Sequence, residues 1–267
     1  MKKELITHKN PKSPVAETFR TLRTNIQFMN TKKNLKTVLV TSTMPGEGKS
    51  WVTANLATTF AQTGKKVVII DADMRKGRQH SIFTVENKPG LSNYLLEASE
   101  NSNEDILQYV KKTGVENLYL ITSGNIPPNP SELLASEVTI NMIEKLKQFF
   151  DILIFDGTPS LIVTDAMIVA RLVDTSIIVT EHNATKKENL IKVKKSLESV
   201  GASVAGVVIN KIPITAKKYE NSYYYGTKET KIENRYNESF GESPRTIKNE
   251  DKIMRQLDEY YNNRGNI

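Results

Sequence analysis

The apolar residues of this chain fall into short unbroken runs with helix-spaced segments between them. Runs at 37–41, 67–70, 118–122, 152–155, 176–180 and 205–209 are built mainly from Val, Ile and Leu, without polar alternation. A strand wetted on one face alternates, whereas a strand covered on both faces is apolar throughout, as parallel strands are. Segments 50–62, 131–150, 164–172 and 186–200 repeat apolar residues at helical spacing, and Gly64 and Gly201 stand where a C-cap belongs. Ahead of the first run, Phe19, Leu22, Ile26 and Met29 place a helix over 14–30. Strands alternating with helices predict an α/β fold, a doubly wound, mainly parallel sheet flanked by helices. Its crossovers are right-handed, and its ligands bind beyond the carboxyl ends of the strands.

The pattern fades after residue 212. Tyr, Asn, Lys and Glu dominate to 247, a composition that cannot bury a core and reads as a flexible tail. A last short helix is predicted over 249–261, with Ile253, Met254, Leu257 and Tyr261 on one face. The chain therefore divides into a basic arm and helix (1–36), a central domain (37–212) and a tyrosine-rich tail (213–267). No run of about 18 apolar residues is present to span a bilayer, and the start, Met1-Lys2-Lys3-Glu4-Leu5, has no apolar core behind it to act as a secretory signal. Cysteine is absent, and His8, His80 and His182 are scattered, so neither disulfides nor a structural metal site is expected. These features fit a cytoplasmic protein.

The net charge of +7 is concentrated in residues 1–36, where nine Lys and Arg face only Glu4 and Glu17. Such an arm suits anionic lipid or an acidic partner, or simply a solvated tail. Nucleic acid is not expected, because only Phe19 and Phe28 interleave the basic residues.

Chemistry concentrates first in Thr43-Met44-Pro45-Gly46-Glu47-Gly48-Lys49-Ser50, between an apolar strand and a helix. Loop N–H groups and a helix N-terminus in that setting cradle phosphates, with Lys49 reaching the β- and γ-phosphates and Ser50 ligating Mg²⁺. Thr43 stands where the strict motif has Gly, which leaves Gly46 and Gly48 to supply backbone freedom. Trp51 follows directly and is counted with the nucleotide site. Two further strands end in carboxylates, one at Asp71-Ala72-Asp73 and one at Asp156. A carboxylate at a buried strand end is costly unless paired or metal-bound. Asp73 and Asp156 are assigned with Ser50 to Mg²⁺, and the alternative for each Asp alone is capping of the next helix.

Two acidic strand ends beside one P-loop exceed what an ordinary P-loop ATPase needs, and they resemble the bacterial tyrosine kinases, which use a P-loop NTPase-type fold. The likeness spans roughly residues 10–226. Residues 41–50 look like that family's Walker A motif, Asp71-Ala72-Asp73-Met74-Arg75-Lys76 like its second, A′ motif, and Asp156 like its Walker B Asp. Pro127-Pro128-Asn129-Pro130-Ser131-Glu132-Leu133-Leu134 and Thr164-Asp165-Ala166 also match. Glu17, Arg20 and Arg23 match an E-x-x-R-x-x-R motif that assembles relatives into rings; on spacing alone they make an ordinary intrahelical ion pair. Ser222-Tyr223-Tyr224-Tyr225-Gly226 falls where the family carries its autophosphorylated tyrosine cluster. Two positions depart from the family: Gly157-Thr158-Pro159 replaces Thr-Pro-Pro, and Gly77 replaces Pro, changes that would loosen the loops around the site.

The resemblance implies transfer of the ATP γ-phosphoryl to tyrosine, with ATP and Mg²⁺ as cofactors. Lys49, Asp71 and Asp73 would be catalytic, Asp71 accepting the phenolic proton, and Asn210 would read the adenine. Tyr219, Tyr223, Tyr224, Tyr225 and Tyr236 would be the acceptors, phosphorylated in trans within a ring. Implied partners are further copies of the chain, a transmembrane adaptor of the polysaccharide co-polymerase type and a cognate tyrosine phosphatase. The implied place is the inner face of the membrane, and the implied process is control of capsular or exopolysaccharide synthesis. Two rivals remain at this point. A positioning ATPase of the ParA/MinD type shares the fold but carries a signature Lys where Met44 stands, and MinD-like members end in a basic amphipathic helix unlike the mixed charges of 249–264. A catalytically weak ATP-binding scaffold is the other.

Overall fold

A computed structural model describes residues 4–29, 35–101 and 103–213. Tyr219, Tyr223, Tyr224, Tyr225, Tyr236 and the helix predicted at 249–261 lie outside these residues. The described residues form one seven-stranded sheet, with β1 (Thr37–Ser42), β2 (Val67–Asp71), β3 (Lys111–Lys112), β4 (Leu118–Ile121), β5 (Ile152–Pro159), β6 (Thr175–Glu181) and β7 (Val204–Asn210). The spatial order is β3-β4-β2-β5-β1-β6-β7. Every neighbouring pair is parallel except β3 with β4. Around it lie helices α1 (Ile6–Lys9), α2 (Pro14–Met29), α3 (Lys49–Ala61), α4 (Gln79–Phe83), α5 (Leu91–Glu100), α6 (Pro130–Leu134), α7 (Glu137–Phe149), α8 (Asp165–Leu172) and α9 (Lys187–Ser199). No described helix is long and apolar enough to cross a membrane.

Successive strand residues point to opposite faces, and both faces here are covered. Val38, Val40, Val67, Ile69, Ile152 and Ile154 pack in one layer with Phe19 and Ile26 of α2 and Leu56 and Phe60 of α3. Leu39, Val68, Ile70, Leu153, Phe155 and Ile178 pack in the other with residues of α5, α7, α8 and α9. All of β1 and β2 is buried, which is why their sequences carry no alternation. Gly64 and Gly201 take φ of +81° and +78° just past α3 and α9, as the C-cap positions require.

The helix predicted over 131–150 is two helices. Ser136, with φ −74° and ψ 156°, is extended and starts α7 afresh. The helical spacing runs through the break because Leu133, Leu134, Met142, Ile143 and Leu146 all enter the same core layer.

Ahead of β1, the N-terminal segment docks on α3 through Asn55, which is fully buried. Asn55 Oδ1 accepts from the Thr7 N–H (3.1 Å) and Thr7 Oγ1 (3.0 Å), while Nδ2 donates to the carbonyls of Glu4 (3.0 Å) and Trp51 (3.0 Å). Asn55→Ala strands these buried groups and is expected to cost about 1–3 kcal/mol. Thermal melts and limited proteolysis check this: the variant should melt lower and be cut faster within residues 4–12. Unchanged melting and cleavage would mean that Leu5 packing alone holds the segment.

Candidate active site

The loop 43–48 joins β1 to α3, and Gly46 and Gly48 hold φ of +86° and +96°, values that a residue with a Cβ rarely adopts. A Cβ on Gly48 would also strike the Asn210 side-chain amide at the end of β7. Asn210 Nδ2 donates to the Glu47 carbonyl at 2.8 Å, so the last residue of β7 closes on the loop. The Glu47 carboxylate turns inward and accepts from the N–H groups of Thr43 (2.7 Å) and Met44 (2.9 Å), from Thr43 Oγ1 (2.6 Å) and from Thr185 Oγ1. The loop thus holds its shape through its own acidic side chain. α3 starts at Lys49 with no acidic residue in its first turn, leaving its positive dipole end to an anion.

Behind the loop the strand ends converge. Lys49 Nζ lies 2.9 Å from Asp73 Oδ2, 3.6 Å from Asp156 Oδ1 and 3.3 Å from Ser50 Oγ. Burial lowers the Lys49 pKa, but Asp156 and then Asp73 outweigh it and hold the ammonium above its usual range. Asp71 and Asp156 stand opposite one another on adjacent strands, both fully buried. Burial, then the Asp156 charge, pushes the Asp71 carboxyl well above the usual carboxylate range. Asp71 Oδ2 accepts from the Gln79 N–H at 3.0 Å, and its Oδ1 has no partner among the described residues.

Gln79 was not legible as a site residue. Its Nε2 donates to Asp156 Oδ2 (2.8 Å) and to the Ser50 carbonyl (3.0 Å) while its N–H holds Asp71, so one residue ties the start of α3 to both acidic strand ends. Arg75 Nε donates to Asp165 Oδ2 at 2.8 Å, and Ser131 Oγ donates to Asp165 Oδ1 at 2.6 Å. That contact joins the three motifs that were read separately around residues 75, 131 and 165. Gly77 packs tightly: a Cβ there would come within 2.6 Å of Ser123 Cβ and 2.8 Å of Asp71 Oδ2. Gly157 is less tightly enclosed, its Cβ position 2.7 Å from the tip of the Leu39 side chain and 3.4 Å from the Val40 carbonyl. The two departures from the family pattern therefore sit in close packing. Gly77→Ala is expected to displace Ser123 or Asp71 and to destabilise the fold by about 1–3 kcal/mol; denaturant titration checks it, and a midpoint equal to wild type would contradict it.

The group fits a Mg²⁺-nucleotide. Asp73 and Asp156 present carboxylate oxygens 2.9 and 3.6 Å from Lys49 Nζ behind the phosphate loop, and Ser50 Oγ is 3.3 Å from the same nitrogen. Two carboxylates and a hydroxyl suit Mg²⁺, since it takes one or two carboxylates with phosphate oxygens and water. Pro45, Gly46, Gly48, Lys49, Ser50, Trp51 and Asp73 line a cavity of about 440 Å³. Asp71, Asp156 and Asn210 do not line it. Glu17, Arg20 and Arg23 lie apart on α2: Glu17 pairs with Arg20 at 2.7 Å, and Arg23 Nη1 donates to the Thr59 carbonyl at 2.9 Å.

Comparison with known proteins adds an independent line. A family model described as an AAA domain matches residues 16–206. The chain is 41% identical over 222 residues to the putative tyrosine-protein kinase CapB of Staphylococcus aureus, covering 83% of this chain and 95% of that protein. It is 40% identical over 229 residues to the tyrosine-protein kinase YwqD of Bacillus subtilis, covering 86% and 94%. The crystal structure of the chimerical protein CapA2B2 superposes with a TM-score of 0.74 at 38% identity, covering 80% of this chain and 92% of that one. The cell division ATPase MinD of Pyrococcus furiosus shares the fold, with a TM-score of 0.53 at 20% identity, covering 70% and 78%.

Proposed function

The chain belongs to the bacterial tyrosine kinases, within the wider AAA-domain family, and from that premise we propose that it phosphorylates tyrosines of its own tail, one copy acting on another. It is an ATP-dependent protein-tyrosine kinase. The observation that carries the proposal is the placement of Lys49 among Asp73, Asp156 and Ser50, with the Asp71 carboxylate oxygen unpartnered behind them.

Phosphoryl transfer rests on positioning and charge. Lys49 and the loop amides hold the ATP phosphates, and Lys49 leaves Asp73 to do so. Mg²⁺, held by Ser50, Asp73 and Asp156, would neutralise charge on the β and γ oxygens. In the transfer the bond from the γ-phosphorus to the bridging oxygen breaks, a bond to the phenol oxygen forms, and ADP departs. A phenol of pKa about 10 needs a base. Asp71 takes the proton, its affinity raised by burial and by Asp156. Asp71 does not line the cavity in this conformation, so release of Lys49 towards the phosphates is what opens the way to it. Asn210, which closes on the loop from β7, would read the base of the nucleotide.

The acceptors are Tyr219, Tyr223, Tyr224, Tyr225 and Tyr236. Glu17, Arg20 and Arg23 form the contact between copies; the Glu17 side chain is 68% exposed and open to a partner despite its pairing with Arg20. Each added phosphate brings roughly −1.5 to −2 charge, so phosphorylated tails repel and the ring comes apart. A transmembrane adaptor recruits the kinase to the inner face of the membrane, a cognate phosphatase reverses the reaction, and the output is control of capsular or exopolysaccharide synthesis.

A mixing experiment tests the trans reaction. Lys49→Met chain, distinguishable by mass, is incubated with wild type, Mg²⁺-ATP and an adaptor tail, and phosphotyrosine is mapped. Phosphate on the Lys49→Met tails supports transfer between copies; phosphate confined to wild-type chains would show transfer within one chain.

A further inference from the structure

The cavity beside the loop is larger and more apolar than phosphates need. Lys49, Ser50 and Asp73 mark the part where the γ-phosphate belongs, and Asn210 is not on the cavity wall. Trp51, Ile82, Ile162 and Val163 give its lining an apolar part. Phosphate gains nothing from such a surface, whereas an aromatic ring buries well against it. Trp51 is held edge-on by Phe19, ring centroids 5.1 Å apart at 67°, so this wall has a fixed aromatic face. Ile162 is 56% exposed, an apolar side chain left at the cavity edge.

The rim is basic. Arg75, Lys76 and Arg78 stand there with Glu4 as the rim's carboxylate. Arg75 is engaged by Asp165. Among the described residues Arg78 has a loose contact with Glu4, at 3.5 Å, and the other Glu4 oxygen is buried without a partner. An exposed pair of that length contributes little. Glu4 therefore stands where a better-placed anion would bind.

We propose that this cavity is the acceptor site, and that it selects a tyrosine with an anionic neighbour, whose ring packs on Trp51, Ile82 and Ile162 while the anion displaces Glu4 from Arg78 and pairs with Lys76 as well. The inference rests on the kinase reading above and adds the substrate class to it. Two sources supply such an anion, a flanking carboxylate or an adjacent phosphotyrosine. The chain carries both patterns, Tyr219-Glu220 and the run Tyr223-Tyr224-Tyr225, in which each phosphorylation makes the next tyrosine a better acceptor.

The test uses the full chain with synthetic peptides holding one acceptor tyrosine flanked by Glu, by phosphotyrosine or by Gln, with autophosphorylation followed alongside. The expected result is a kcat/KM about tenfold higher for an anionic flank, equivalent to about 1.4 kcal/mol, expressed mainly in KM and weakened by added salt. In the double variant Lys76→Gln, Arg78→Gln the ratio should fall towards one. A preference confined to Glu or to phosphotyrosine supports the site and identifies the source of the anion. Autophosphorylation without any anionic preference, or without use of any peptide, would overturn the acceptor site alone, as would a preference that survives both the double variant and high salt. Absence of phosphotyrosine everywhere would overturn the kinase reading itself.

Discussion

Asp71→Asn is expected to stabilise the folded chain and at the same time to slow phosphoryl transfer by about 10²–10⁴. The rate falls because an amide accepts no proton from the phenol. Stability rises because the wild-type carboxyl sits fully buried against Asp156 with one oxygen unpartnered. Asn is close in shape, its carbonyl keeps the Gln79 N–H, and its Nδ2 takes the place of the unpartnered oxygen. Asn spares the folded chain both the buried charge and the proton uptake that avoids it, a gain that grows as pH rises above the ordinary carboxylate value to about 1–4 kcal/mol, or roughly 2–4 °C per kcal/mol in a domain of this size. The sign with pH follows from the raised carboxyl. The folded chain keeps a proton that the unfolded chain has lost, so wild-type stability is full below the ordinary carboxylate value of 3.8 and declines as pH rises towards the raised folded value. Asn does not titrate, so the variant should lack that decline. Melting curves across this window, beside single-turnover kinetics, check both halves. A variant that is less stable than wild type, or that retains its rate, would contradict this role.

Lys49→Met should also abolish measurable transfer, with a loss of at least about 10²–10³, but its effect on stability is opposite. Lys49 is the cation that lies 2.9 Å from Asp73 and 3.6 Å from Asp156. Taking away one partner of a buried ion pair costs about 3–5 kcal/mol, so the variant should melt well below wild type without nucleotide. Mg²⁺ alone should then restore more of the melting temperature in Lys49→Met than in wild type, because it replaces the missing charge. Inactivity with higher stability at position 71, and inactivity with lower stability at position 49, is a pairing that a general folding defect does not produce. Equal loss of stability in both variants would break it.

Much of this arrangement was legible because it depends on period and on strand ends. The parallel strands betrayed themselves as unalternating apolar runs, and Asp71, Asp73 and Asp156 stood out as carboxylates closing such runs. The edge strand β3 did not, since Lys111 and Lys112 have neither apolar pattern nor length. α5 was missed because its buried Leu91, Tyr94 and Leu95 cover barely two turns after Pro89-Gly90. The break at Ser136 was hidden by apolar spacing that serves one core layer across two helices. Gln79 and the inward turn of Glu47 were invisible for a different reason. Their roles are contacts across loops, and no spacing rule connects position 79 with positions 50, 71 and 156. The one signal available was a polar side chain eight residues after Asp71, close enough in the chain to fold back on it.

The most direct measurement follows the fate of the γ-phosphoryl group. The full chain is incubated with Mg²⁺-ATP, with and without an adaptor tail, and the products are resolved into ADP, inorganic phosphate and site-mapped phosphotyrosine. Phosphotyrosine is expected on the tail tyrosines, matched by ADP and absent in Lys49→Met. ADP and inorganic phosphate without phosphotyrosine under either condition would contradict this and return the site to the ATPase switches that share its fold.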